Sequence, residues 1–157
     1  MATEPLINGE AHSFARVELT VNTPTGSRTF RGVKEITYDD KVERGAMRGT
    51  HPQKLGRTLG DYNPDNVSVT LYKHVWLELL PLLTQNDTVG FGETPFDIVI
   101  HFAPPGLPLS TDTIAGCLVV GLGSSHSQGS DALVQKLDLD PMYILHDDQP
   151  MISNLLP

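Results

Sequence analysis

The sequence predicts a mainly β protein: an antiparallel sandwich or barrel of six to seven strands, with one flanking α-helix and one long inter-strand loop. Three observations predict it. Apolar and polar residues alternate in several short segments, the period of a half-buried strand. Only one segment carries helical spacing. Strands and helices do not take turns along the chain, which argues against a doubly wound parallel sheet. The 157 residues fit a single domain, 1–157, long enough to bury a core without disulfides.

Residues 14–21, FARVELTV, place Ala15, Val17, Leu19 and Val21 on one side and Phe14, Arg16, Glu18 and Thr20 on the other. This is the first predicted strand, and the turn cluster NTPTG follows it. Residues 28–38, RTFRGVKEITY, read as one β-branched and aromatic strand with Gly32 as a bulge, forming a hairpin with the first. Residues 39–66 show no periodicity and carry Pro52 and Pro64, so they read as a structureless connection of functional length. Residues 66–72, NVSVTLY, alternate as a third strand.

Residues 73–85, KHVWLELLPLLTQ, form the predicted helix. Val75, Trp76, Leu79, Leu80 and Leu83 recur at helical spacing, and Pro81 is expected to kink or end it. The helix is expected to pack Trp76, Leu79, Leu80 and Leu83 against the sandwich. Residues 94–102, TPFDIVIHF, alternate again, and a proline-rich loop, APPGLPLS, follows. Residues 112–122, DTIAGCLVVGL, read as a strand buried on both faces or packed against a neighbour. After the polar turn GSSHSQGS, residues 132–139 form another strand, which 141–145 extend or restart, and the tail HDDQPMISNLLP shows no pattern.

Composition excludes several function classes. No apolar run approaches the ~20 residues of a membrane helix, and the N-terminus lacks the basic start and apolar core of a signal peptide. Cys117 is the single cysteine, which excludes an internal disulfide and a cysteine-based zinc cluster, and its apolar surroundings read as core. The six histidines never share i, i+3 or i, i+4 spacing, so no metal site and no cofactor are expected. LGRTLG at 55–60 lacks the earlier glycine and the Lys-Ser/Thr of a phosphate loop. GSSHS at 123–127 lacks the second glycine of a nucleophile elbow, and a strand follows it. Asp138 and Asp140, like Asp147 and Asp148, are ordinary paired surface carboxylates. No catalytic constellation emerges.

Charge is segregated. The net charge is −8, yet residues 28–57 hold eight basic residues against four acidic ones, and residues 58–157 hold two basic against twelve acidic. A basic face and an acidic face suit contact between copies of one protein, or plain solvation. The basic loop carries Arg44, Arg48, Lys54 and Arg57, with Tyr62 as the one aromatic nearby. A nucleic-acid grip normally adds stacking platforms, and the acidic remainder repels phosphate.

The phrases GVKEITY at 32–38, KVERG at 41–45, Arg48-Gly49, GRTLGDY at 56–62 and Thr70-Leu71-Tyr72 occur in one order, and DALVQKLDLDPMYI lies near the C-terminus. Together they resemble the tail tube proteins of contractile-tail (myovirus) bacteriophages over more than half the chain. Leu59 departs from the pattern, where a basic or polar residue is more usual. The resemblance implies a non-enzymatic virion protein with a fold similar to the haemolysin-coregulated tube protein of type VI secretion. It implies homohexameric rings stacked into a hollow tube, with the sheets joined into one barrel. DNA passes down the lumen as non-specific cargo. The implied partners are its own copies, the tail sheath, a baseplate hub or tube initiator, and a tail terminator. No membrane is implied. The implied place is the phage tail, assembled in host cytoplasm.

On this reading the 39–66 loop is an assembly arm, with Lys41, Glu43, Arg44, Arg48, Lys54, Arg57 and Tyr62 at subunit or ring contacts. A negative wall repels DNA, so Glu18, Asp97 and Asp138 are lumen candidates. Two alternatives stand beside it. One is a baseplate tube initiator or a type VI-like secretion tube. The other is a small nucleic-acid- or phosphate-binding protein that uses the basic loop.

Overall fold

A computed structural model describes residues 17–24, 26–84, 90–102 and 110–152. The readings of residues 14–16, Gln85, the proline-rich 103–109 stretch and the end of the tail lie outside them. Among the described residues are eleven strands and one α-helix: β1 (Val17–Thr23), β2 (Gly26–Phe30), β3 (Val33–Glu43), β4 (Ala46–Met47), β5 (Gly56–Arg57), β6 (Asp61–Tyr72), α1 (Lys73–Leu83), β7 (Phe96–Phe102), β8 (Ser110–Ser125), β9 (Val134–Asp140), β10 (Tyr143–His146) and β11 (Gln149–Pro150). A 3-10 turn spans Phe91–Glu93.

The architecture is an open antiparallel sandwich built around one long strand. The first half of β8 pairs with β7 on one side and β10 on the other, giving the layer β2-β1-β7-β8-β10-β11. Beyond Cys117 the strand passes into the second layer and pairs with β9, giving β8-β9-β6-β3. A left-handed Gly116 (φ 66°) precedes the crossing, and an irregularity between Val119 and Gly121 follows it. The path does not close into a barrel. Leu19, Val21, Ile98, Ile100 and Ile114 from the first layer meet Val67, Val69, Leu71, Leu137 and Leu139 from the second in one buried cluster.

The helix adds Val75, Trp76, Leu79 and Leu83 to that cluster, with Leu80 at its margin. Trp76 meets Phe91 edge to face at 5.6 Å. Pro81 sits inside the last turn, and the helix stops two residues later. The carbonyl of Leu80 accepts both the backbone N–H and the hydroxyl of Thr84 there, at 3.1 and 2.9 Å. Gln135, a polar residue buried in the core, accepts from Lys73 Nζ at 3.2 Å and donates to the Gly123 carbonyl and Ser124 Oγ.

Two predicted elements are corrected. The single strand expected over 28–38 is two strands in different layers, β2 beside β1 and β3 beside β6. Gly32 separates them because the chain passes hard against α1 there: a β-carbon at 32 would collide with Val75 Cγ2. The structureless connection expected over 39–66 is a hairpin arm. Its stem pairs Asp39 to Glu43 with Asp65 to Asp61, and its tip is the β4–β5 ribbon. Alternation exists in the stem, but its sheltered members are Asp40, Val42, Tyr62 and Pro64, so the pattern lacks the apolar signature of a core strand.

Candidate assembly surfaces

Three features of the fold stand apart from the core: the arm tip, the clasp that holds the arm, and the free sheet edges. The tip is internally ordered. Leu55 N–H donates to Met47 O at 2.7 Å, and Thr58 N–H to Gly45 O at 2.9 Å. Gly49 and Gly60 hold left-handed backbone, φ 60° and 94°, which favours glycine. Arg44 Nε donates to Leu59 O at 3.1 Å and Arg48 Nη1 to Pro52 O at 3.0 Å, while Lys54 and Arg57 stand exposed. Among the described residues none of these four cations is in an ion pair; Lys41, in the stem, pairs with Glu43 at 3.3 Å and Asp65 at 3.7 Å. Met47, Leu55 and Leu59 are 63%, 56% and 78% exposed on the same tip.

The clasp turns the arm against the first layer. An irregularity between Thr37 and Asp39, with Asn66 at φ 51° opposite, sets the local bend that a β-bulge imposes on a strand. Below the bend, Tyr62 donates its hydroxyl hydrogen to Asp40 Oδ2 at 3.0 Å and accepts the Ile144 N–H of β10 at 2.9 Å. His146 Nε2 lies 2.9 Å from Asp40 Oδ1. Tyr38 donates to Asp112 of β8 and stacks on His146 at 6.2 Å, and Asp112 also accepts the Asp147 N–H at 3.2 Å. Burial, then the hydrogen bond to Asp112 and its charge, raise the Tyr38 hydroxyl well above the ordinary tyrosine value. Burial pushes Tyr62 up to about 12; the Ile144 backbone opposes this and Asp40 adds to it.

Among the described residues, β2 and β11 in the first layer and β3 in the second have no strand on their outer sides. No strand pairs the far side of β8 beyond Val119 either, where the Phe91–Glu93 turn lies beside it. Val120 and Leu122 are 64% and 40% exposed at that edge. The apolar run expected to be buried on both faces or packed against a neighbour thus buries Ile114, Ala115, Cys117 and Val119 in this chain and leaves Val120 and Leu122 exposed.

The predicted site residues fall in separate places. Arg44, Arg48, Lys54 and Arg57 gather at the tip, Lys41 and Glu43 on the stem's outer face. Tyr62 faces its own β10. Glu18 pairs with Arg31 at 2.7 Å, and Asp97 accepts the Gly116 N–H at 2.8 Å; both lie on the outer face of the first layer. Asp138 lies on the outer face of the second, beside Gly121. The three lumen candidates do not share a surface. Sequence reading missed Asp40, Asp112 and His146, which carry no local motif. LGRTLG forms one side of the tip rather than a turn before a helix, and no cluster of three potential metal ligands occurs among the described residues. No helix of the described residues is long and apolar enough to cross a membrane.

No family model matches this chain, and no curated protein matches it. Solved structures share its fold. A chain of the anti-feeding prophage baseplate, six-fold symmetrised, is 13% identical with a TM-score of 0.60, over 93% of this chain and 97% of that one. A type six secretion system protein is 11% identical with a TM-score of 0.53, over 82% of each chain. A chain of the anti-feeding prophage tube terminating cap is 12% identical with a TM-score of 0.51, over 93% of each. The chain thus has the fold found in components of the anti-feeding prophage and of a type six secretion system.

Proposed function

We propose that this protein is a structural tail tube subunit that self-assembles into hexameric rings, stacked into the tube through which phage DNA is ejected. The observation that carries this reading is the second layer, β8-β9-β6-β3. It has an even number of antiparallel strands, and among the described residues no strand pairs the outer side of β3 or the far side of β8 beyond Val119, where the Phe91–Glu93 turn would have to make room. Joining the β3 edge of one copy to the β8 edge of the next continues the antiparallel alternation across the seam. Such a head-to-tail contact closes a ring when the rotation returns on itself. Exposed sheet edges otherwise invite uncontrolled pairing, and Val120 and Leu122 lie at the seam.

In that ring the outer face of the second layer lines the lumen. It carries Glu35, Asp138 and Asp140 against Lys34 and Lys136, and the arm continues it with Asp39, Glu43, Asp61 and Asp65 against Lys41. An acidic wall lets DNA slide without sticking. Asp138 thus faces the lumen, and Glu18 and Asp97 face outward. The tail sheath, a baseplate hub or initiator and a terminator are the partners of such a tube. The six-fold symmetry and the baseplate and tube-cap contexts of the related folds support this assignment. The place is a virion-type tail particle assembled in host cytoplasm, and the role is non-enzymatic.

Negative-stain electron microscopy over a concentration series, with mass photometry, tests the reading. Wild type is expected to give rings or hollow tubes, and the exposed double variant Val120→Glu/Leu122→Glu to remain a folded monomer. A wild-type monomer at every concentration, also with tube seeds added, overturns it. Salt-sensitive oligonucleotide binding lost in Arg48→Ala/Arg57→Ala then points to the binding-protein reading.

A further inference from the structure

We propose that the arm tip docks on the β10–β11 end of a second copy of this chain. This rests on the self-assembling reading above and names the surface that receives the arm.

Among the described residues of its own chain, the tip leaves its charges out of ion pairs and its apolar side chains exposed. Met47, Leu55 and Leu59 expose apolar surface on one small ribbon. Residues 44–60 hold four cations and no carboxylate, and none of the four is in an ion pair among the described residues. The clasp fixes the stem to β10 through Tyr62 and Asp40.

The complementary surface is the turn after β10. Asp147 and Asp148, at φ 52° and 61°, form the two-residue connection between His146 and Gln149, and both are exposed. Met151 lies just beyond and is 52% exposed. This end is acidic and apolar where the tip is basic and apolar. It also lies beside the arm. His146 touches Asp40 at the base of the arm, so the turn and the arm share one end of the molecule. Rotation about a ring axis preserves height along that axis, which brings a neighbour's turn level with the base of the arm, from which the tip extends. A nucleic acid is the poorer occupant, because Asp39, Glu43, Asp61 and Asp65 stand exposed on the stem beside the tip and repel phosphate.

Two full-length variants, Met47→Cys and Met151→Cys, are mixed under assembling conditions and oxidised. Both positions are exposed, and the native Cys117 is fully buried. Mixed dimers are expected in at least about tenfold excess over dimers of either variant alone, and Asp147→Asn/Asp148→Asn is expected to weaken association about tenfold, with less sensitivity to salt. Asparagine keeps the left-handed turn accessible, so a folded variant isolates the charge. Rings that assemble without the mixed cross-link overturn this docking and leave the tube reading standing. Failure of wild type to assemble at all, even when seeded, overturns both.

Discussion

The hydroxyl of Tyr62 lies 3.0 Å from the carboxylate of Asp40, across the two strands of the arm, and takes the Ile144 N–H of the other layer at 2.9 Å. One phenol thus joins both stem strands to β10. Asp40, whose side chain is only 7% exposed, depends on it and on His146 for its partners. Tyr62→Phe removes the donor to Asp40 and the acceptor of the Ile144 N–H. The expected cost is about 1–3 kcal/mol, the range for a sheltered polar group left without its partner. Urea unfolding monitored at Trp76 measures it.

The same tyrosines set an alkaline limit. In the folded chain Tyr62 is raised from 10.0 to about 12, and Tyr38 is raised too. A raised folded value means that the native state holds the proton more tightly than the unfolded state. The contribution is fully present below about pH 10 and is lost as pH rises toward 12. Stability is expected to fall across that window, and less steeply in Tyr38→Phe/Tyr62→Phe. Ultraviolet titration of tyrosinate alongside alkaline unfolding checks both statements.

Gly60 ends the ribbon at φ 94°, and a β-carbon there would collide with the Glu43 carbonyl and lie 2.8 Å from Arg44 Cγ. Gly60→Ala is expected to strain the arm by about 1–3 kcal/mol and to leave the core intact. Limited proteolysis should cut within residues 44–60 faster than in wild type, with the tryptophan environment unchanged.

The core answers differently. Trp76 is 4% exposed and packs against Phe91. Trp76→Ala should cost about 3–5 kcal/mol through lost burial and a residual cavity. Thermal unfolding gives the loss, while Leu77→Ala, on the exposed face of the same helix, should shift it little.

By itself the sequence determined most of the elements and what they bury. The alternation of Leu19 with Val21, of Ile98 with Ile100 and of Val67 with Val69 marked strands whose apolar faces meet in the core. The spacing of Trp76, Leu79 and Leu83 marked the helix. These signals are local, because side chains two apart on a strand, or three and four apart on a helix, point the same way wherever the element is placed. Only the tertiary structure decided that Gly32 divides β2 from β3, since the obstacle is Val75, more than forty residues later in the chain. It alone decided that the arm is a hairpin held by a clasp, since His146 and Asp40 are 106 residues apart and neither carries a motif for the other. It also decided which face each strand presents, separating Asp138 from Glu18 and Asp97. Periodicity states that a strand has two faces; which face meets a neighbour, a lumen or solvent depends on the layer in which the strand finds its hydrogen-bond partners.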